Sequence, residues 1–181
     1  MSKIDIKEWR EFEIKEIFIT EQIGGKLQVP TGAYIEKKYL KEGKTPRITV
    51  TGINNGVYGY FDYVGEKKEY RTYSNFISVS FLGTVFYQKN TVSLDMKVHC
   101  LKPLDIELNV YIGLFLVTAI NKGLKNSSYS DQISSTVLPT LIIKLPINER
   151  GKPDYIFMEQ YMKNIENKTQ ENFKILKAVS S

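Results

Sequence analysis

The chain has 181 residues and a formal net charge of +5, and 42% of its residues are hydrophobic. This length and apolar content fit one domain of ordinary size with a buried core, and they exclude wholesale disorder. The excess of positive charge favours an anionic partner without proving one.

The chain contains a single cysteine, Cys100, and a single histidine, His99. One cysteine cannot form an internal disulfide, and one histidine cannot build a histidine-based metal site. We interpret both as packed strand residues and predict neither a metal nor a cofactor. Charged residues interrupt the start of the chain, and the longest apolar stretch, 110–120, is much shorter than the ~20 residues of a membrane span. We therefore expect a soluble, cytoplasmic protein with no membrane contact.

The first half of the chain is typical of short strands joined by polar turns. A strand opens the domain within residues 9–18, and a long, irregular, basic segment follows at 20–45. Asn54-Asn55-Gly56 predicts a tight hairpin turn, because Asn-Gly is the favoured pair there. Alternating and β-branched runs predict further strands, at residues 47–51, 57–61, 76–81, 84–87 and 96–101.

The second half contains two predicted helices separated by a strand. Asn109 is a good cap for a helix ending near Lys122, with Gly123 as its terminator. That helix is apolar nearly all round, so it should be buried. A strand at 140–145 precedes a glycine turn and a long helix, which Asp154 caps. The order predicts an α+β domain with a curved mixed or antiparallel sheet, a buried helix and a long C-terminal helix.

The C-terminal helix has an apolar stripe at heptad spacing on an otherwise polar surface. We predict that the stripe docks on a partner helix or joins two copies in a homodimer. The alternative is that it packs on its own domain, as most amphipathic helices do. We divide the chain into a domain at 1–150 and a helix at 151–181. The stripe comprises Met158, Met162, Ile165, Thr169, Asn172, Leu176 and Val179.

Catalytic motifs are not supported by their context. Pro153-Asp154 followed by Glu166 and Lys168 resembles a metal-nuclease pattern, which needs both later residues on one side of a strand. On a helix they lie about 200° apart, at ~100° per residue. We find no glycine-rich phosphate loop, nucleophile elbow or base-flipping pattern. No catalytic residue is predicted.

The remaining candidates are loop residues suited to double-stranded DNA. Basic side chains can neutralise phosphates, and amides and hydroxyls can pair with base edges. The alternative is an ordinary solvated rim, which is polar because of turn chemistry alone. The candidates are Lys26, Arg47, Thr51, Asn54, Asn55, Tyr58, Lys89, Lys125, Asn126, Ser128 and Tyr129.

The sequence resembles the target recognition domain of specificity (S) subunits from type I restriction-modification systems. It is especially similar to the form found in bifunctional restriction systems that cut on both sides of their site. The segment at 143–159, with Ile143-Lys144-Leu145-Pro146 and Gly151-Lys152-Pro153-Asp154, is the most specific part of the resemblance. Looser matches lie at residues 8–18, 48–60 and 80–88.

The resemblance implies a domain that reads part of a DNA target and a helix that spaces it from a second such domain. A full specificity subunit has two domains and two helices, so this chain looks like a half-subunit or a single excised domain. It would direct methyltransferase (modification) and restriction subunits to a bipartite site without catalysis of its own. Asp131 departs from the basic residues of related loops; it could accept from a cytosine amino group or repel phosphate. The rival hypothesis is a non-catalytic adaptor that docks through its helix and binds no DNA.

Overall fold

A computed structural model describes residues 9–65, 70–127 and 132–179, with the backbone alone for Val179. Its three α-helices in these ranges are α1 (Ile14–Ile17), α2 (Val110–Asn126) and α3 (Tyr155–Val179). The strands described are β1 (Arg10–Glu13), β2 (Glu21–Ile23), β3 (Lys26–Gln28), β4 (Leu40–Ile48), β5 (Val57–Tyr63), β6 (Thr72–Tyr73), β7 (Phe76–Ser80), β8 (Val85–Gln88), β9 (Val92–Leu94), β10 (Val98–Leu101) and β11 (Ile142–Leu145).

The strands are divided among four small sheets. Their orders are β1-β11, β2-β3, β10-β7-β8 and β5-β4-β9-β6. All the strand pairs are antiparallel except β4 and β9, which run parallel, so the sheets are mixed. The prediction of an α+β domain with a buried helix and a long C-terminal helix is confirmed.

Two hydrophobic clusters of the described residues hold these layers together. The larger packs α2 against β7, β8 and β11, and it also contains Phe12 of β1 and Met158 at the start of α3. The smaller lies under β4, β9 and β10, around the fully buried ring of Phe76. Burial of apolar surface of this kind is the main favourable term in folding.

Helix α2 begins where predicted but does not end there. The Asn109 side chain accepts hydrogen bonds from the backbone N–H groups of Tyr111 and Ile112, both at 3.0 Å, as expected of a cap. The helix passes through Gly123 to Asn126, so the predicted terminator is wrong. A Cβ on Gly123 would lie 2.7 Å from the backbone oxygen of Ile142. This glycine therefore allows the helix to approach β11 closely.

The N-terminal prediction is also corrected. Only Arg10–Glu13 forms a strand, and the chain then makes one helical turn, α1. The backbone N–H of Glu13 donates to Glu16 Oε2 at 2.8 Å, which is half of a capping box. This local pairing competes successfully with the extended conformation.

The segment predicted to be irregular contains regular strands. β2 and β3 form a hairpin around Gly24 and Gly25, which both have positive φ, and β4 already begins at Leu40. β4 is interrupted by a bulge whose backbone and Thr45 side chain donate to Asp62 Oδ1 of β5. The glycines and the bulge hide the strand periodicity in the sequence.

Helix α3 is divided between the domain and solvent. The N–H of Phe157 donates to Asp154 Oδ1 at 2.9 Å, so the predicted cap is confirmed. Met158 is 0% exposed in the core, and Met162 packs against the core from a partly buried position. From residue 166 to 178 every side chain is exposed. None of the helices in the part of the chain described has the length and apolar character needed to cross a membrane.

Candidate nucleic-acid interface

Three turns that are distant in sequence meet beside the sheet β10-β7-β8. They are residues 49–56, 81–84 and 95–97, which we call the turn cluster. The N–H of Phe81 donates to the backbone oxygen of Lys97 at 2.9 Å, and that of Asp95 donates to Ile48 at 3.0 Å. A Cβ on Gly52 would lie 3.6 Å from the methyl group of Thr84. The fold thus makes one surface from three separate segments.

The Asn54-Asn55-Gly56 turn is held in an uncommon backbone conformation. All three residues have positive φ, at 49°, 53° and 80°, which asparagine and glycine tolerate better than other residues. Asn55 Nδ2 donates to Gln88 Oε1 at 3.2 Å, and Gln88 Nε2 donates back to the Asn55 backbone oxygen at 3.0 Å. Gln88 is itself buried. The Asn55 side chain therefore fixes the turn, while the exposed Asn54 side chain donates from Nδ2 to the Val57 backbone oxygen at 3.4 Å.

Arg47 is not a surface cation, and its predicted phosphate contact is wrong. Its side chain is 4% exposed and points into the protein. Nη2 donates to Asp95 Oδ2 and to the backbone oxygen of Ala33, both at 3.1 Å. These partners satisfy a buried guanidinium that phosphate could not reach.

Several other predicted residues lie on or next to the turn cluster. Tyr58 is exposed at the start of β5, where its ring stacks on Phe61 at 6.2 Å between centroids. Lys89 is exposed directly after Gln88. Thr51 is half-buried, and its N–H donates to Thr49 Oγ1 at 3.5 Å.

The hairpin carrying Lys26 is tied to the turn cluster through residues 132–135. The N–H of Ile133 donates to Phe81 at 3.1 Å, and the N–H of Val29 donates to Ser135 at 3.0 Å. Lys26 is exposed beside the glycine turn of this hairpin. The strand that begins with this basic side chain therefore leads to the residues that are connected to the turn cluster.

Lys125 and Asn126 are exposed at the end of α2. They are distant from Lys89 along this helix. Gly113 packs on the ring of Tyr87, two residues before Lys89, and Lys125 is twelve residues further along α2, about 18 Å at 1.5 Å per residue. Ser128, Tyr129 and Asp131 lie outside the described residues.

Sequence reasoning missed Gln88 and Lys97. Gln88 fixes the asparagine turn, and Lys97 Nζ lies 5.3 Å from the centroid of the Phe81 ring. In the sequence, a glutamine at a strand end next to Lys89 indicates only weakly that its side chain is buried and fixes a neighbouring turn. Lys97 gives no sequence signal, because its position depends on a contact between two turns.

The two residues considered for metal or redox chemistry are structural. His99 Nε2 lies 2.9 Å from the backbone oxygen of Ile133, and burial lowers the pKa of this imidazole. Burial also raises the pKa of the Cys100 thiol to about 12, so it is not a nucleophile near neutral pH. In the ranges that the structure describes, no three His, Cys, Asp or Glu side chains are grouped to hold a metal.

A groove of about 770 Å³ lies on another face, between α2, α3, β11 and β1. The rings of Trp9, Phe115 and Tyr161 line it, together with Met162 and Ile165 of the predicted stripe. Met158 is in the core, so it cannot contact a partner helix, which corrects its predicted role. Thr169, Asn172 and Leu176 are exposed beyond the domain, and the side chain of Val179 lies outside the description.

A protein-family model and a related protein both match most of this chain. A sequence model of the family described as the type I restriction modification DNA specificity domain matches residues 6–177. The specificity subunit S.BcgI of the type II restriction enzyme BgcI from Heyndrickxia coagulans is 29% identical over 163 residues. These cover 88% of this chain and 44% of that protein.

Two crystal structures share the fold. The S subunit of a type I restriction-modification system from M. genitalium has a TM-score of 0.55 at 17% identity, over 96% of this chain and 44% of that one. The HsdS subunit from Thermoanaerobacter tengcongensis has a TM-score of 0.58 at 13% identity, over 91% and 39%. The chain spans less than half the length of these relatives. With nearly its whole length matched by the family model, the chain belongs to the type I restriction modification DNA specificity domain family.

Proposed function

We propose that this chain recognises part of a double-stranded DNA target through the turn cluster, the β2–β3 hairpin and the end of α2. The observation that carries the proposal is the match of a DNA specificity domain over residues 6–177. The adaptor hypothesis, in which the domain binds no DNA, is not favoured by this match.

The charges of the turn cluster support an anionic partner. Residues 49–56 and 81–84 contain no aspartate or glutamate. The acid at 95–97, Asp95, is paired with Arg47 at 3.1 Å, while Lys97 is exposed. A surface with an exposed lysine and a neutralised acid lowers the electrostatic cost of approaching phosphates.

We assign different tasks to the individual side chains. Lys26, Lys89 and Lys125 neutralise phosphates, and Asn54 reads base edges from the rigid turn that Asn55 holds. The remaining predicted contacts are proposals of the same kind, made by Thr51, Tyr58, Asn126, Ser128 and Tyr129.

The proposal extends to partners. The chain spans under half the length of its relatives. In this proposal one copy supplies a recognition domain at 1–150 and a helix at 151–181. Two copies would join through the solvent-exposed half of α3, with Thr169, Asn172, Leu176 and Val179 on the seam and Met162 and Ile165 at its start. The dimer reads both halves of a bipartite site in the cytoplasm. Methyltransferase and restriction subunits supply the chemistry, and this chain supplies none.

The test is DNA binding as a function of salt. Each phosphate neutralised contributes about −0.9 to the slope of log affinity against log salt concentration. Lys26→Glu and Lys89→Glu should each weaken binding to every duplex and make this slope shallower. Lys152→Glu, the same charge change at an exposed position next to α3, is the matched control and should bind like the wild type.

A negative result has a clear threshold. Binding to every duplex weaker than ~10⁻⁴ M at low salt would fall below ordinary non-specific affinity. In that case the adaptor hypothesis would replace DNA recognition.

A further inference from the structure

Each of the three turns in the turn cluster exposes one large apolar side chain. Ile53 is 75% exposed, Leu82 is 66% exposed and Met96 is 49% exposed. A single exposed apolar residue is ordinary, but apolar residues gathered on one surface mark a binding site. The contacts between the turns, Phe81 to Lys97 and Gly52 to Thr84, gather these three.

The tip that carries Leu82 is rigid. The backbone N–H groups of Leu82 and Thr84 donate to Ser80 Oγ at 3.3 and 3.1 Å, and the Thr84 hydroxyl donates to it at 2.7 Å. Ser80 is buried, and Gly83 has a φ of 81° that permits the turn. A tip fixed in this way loses little conformational entropy when it meets a ligand.

The surroundings of the apolar side chains select the class of ligand. Asn54 follows Ile53 and Lys97 follows Met96. Lys97 Nζ also lies 5.3 Å from the ring centroid of Phe81, the residue before Leu82. The one carboxylate of the turn cluster is paired with Arg47. An apolar surface with an exposed lysine and no free acid suits the major groove of DNA.

Among base edges in the major groove, the apolar group is the 5-methyl of thymine, and asparagine pairs with the N6 and N7 positions of adenine. We propose that Ile53, Leu82 and Met96 contact thymine methyl groups while Asn54 contacts adenine, so the turn cluster reads A·T pairs. This inference rests on the proposed DNA binding and adds the identity of the bases to it.

The experiment starts from the sequences that the full chain selects from a random duplex pool. These should contain A·T pairs. Each thymine in the selected duplex is then replaced by deoxyuracil, which removes the methyl group and keeps the base pairing. Removing a contacted methyl group should weaken binding about fourfold, since a buried CH₂ contributes ~0.8 kcal/mol.

In the Leu82→Ala variant, the difference in affinity between the thymine and deoxyuracil duplexes should be smaller, because the side chain that contacts the methyl group has been removed. Leu104→Ala is the matched control, since Leu104 is 51% exposed but follows the bridge that Pro103 makes with Phe18, outside the turn cluster. This variant should retain the full preference for thymine. Circular dichroism of both variants checks that they are folded.

The outcomes separate the inference from the proposed function. Salt-dependent binding with equal affinity for thymine and deoxyuracil duplexes would overturn the methyl contacts and leave DNA recognition intact. The deoxyuracil measurement on the wild-type chain decides this even if a variant fails to fold. No binding to any duplex would overturn DNA recognition itself.

Discussion

Arg47 and Asp95 form an ion pair with Nη2 and Oδ2 3.1 Å apart, in which the guanidinium is almost completely buried and the carboxylate is partly exposed. The pair joins β4 to the turn that follows β9. Because the two partners differ in burial, removing one should not have the same effect as removing the other.

Asp95→Asn should destabilise the domain more than Arg47→Met does. The first change leaves a buried cation without a counter-charge, at a cost of about 3 kcal/mol. The second leaves a carboxylate that water can partly solvate, at about 1–2 kcal/mol. Urea unfolding measures both values and the coupling in the double variant. The guanidinium also donates to the backbone oxygens of Ala33, at 3.1 Å, and Leu94, at 3.5 Å. The reverse order would mean that these two oxygens suffice to hold it.

Gly123→Ala should destabilise the domain although alanine is the better helix former by about 1 kcal/mol. The added Cβ would lie 2.7 Å from the Ile142 backbone oxygen, so α2 or β11 must shift, and we expect a net loss of about 2 kcal/mol. Thr118→Ala, at an exposed position of α2, is the control and should change the unfolding free energy by less than ~0.5 kcal/mol. A stabilised Gly123→Ala variant would contradict the close approach.

The two halves of α3 should respond differently to substitution. Met158→Ala should cost about 2–5 kcal/mol of unfolding free energy, because it opens a cavity in the core. Leu176→Asp should leave the unfolding of the domain unchanged and weaken self-association, because this residue is exposed beyond the domain.

Analytical ultracentrifugation of the wild-type chain and the Leu176→Asp variant measures the association. Lys174→Asp, on the same exposed half of the helix but off the stripe, is the control. A wild-type chain that stays monomeric at high concentration would show that the exposed half of α3 does not join two copies.

His99 should make the domain less stable in mild acid. Burial lowers the pKa of its imidazole, so the unfolded chain takes up a proton at a higher pH than the folded chain. Above the ordinary pKa of about 6.5 both states are neutral and the residue contributes no pH dependence. As the pH falls below 6.5, the unfolded state gains the proton first, and stability decreases until the folded-state pKa is passed.

Comparing the pH dependence of the wild type with that of His99→Gln isolates this contribution from those of the carboxylates. The difference in unfolding free energy between the two proteins should be constant above pH 7 and change between pH 6.5 and 5. A parallel pair of curves would show that His99 binds its proton equally well in both states.

Local features of the fold could be predicted from sequence, because their causes lie within a few residues. Asn109 and Asp154 cap helices through N–H groups two or three positions away. The Asn54-Asn55-Gly56 turn was likewise predictable, since asparagine and glycine tolerate positive φ.

The errors involve residues whose partners are distant in sequence. The sequence predicts Gly123 as a helix end because nothing in it shows that Ile142, nineteen residues later, packs against this glycine. Arg47 was predicted as a surface cation because its partner Asp95 is forty-eight residues away. The apolar surface of the turn cluster escaped prediction for the same reason: each of its residues alone is an ordinary exposed side chain.

The single tryptophan of the chain lies at the junction of the domain and its C-terminal helix. The Trp9 ring centroid is 5.7 Å from that of Phe115 on α2 and 6.5 Å from that of Phe157 on α3. The only tryptophan, which can be excited separately from the twelve tyrosines, is therefore placed against α3. Its emission should shift to longer wavelength whenever α3 separates from the domain and water reaches the indole. The packing of this helix against the domain can therefore be followed in solution without any added label.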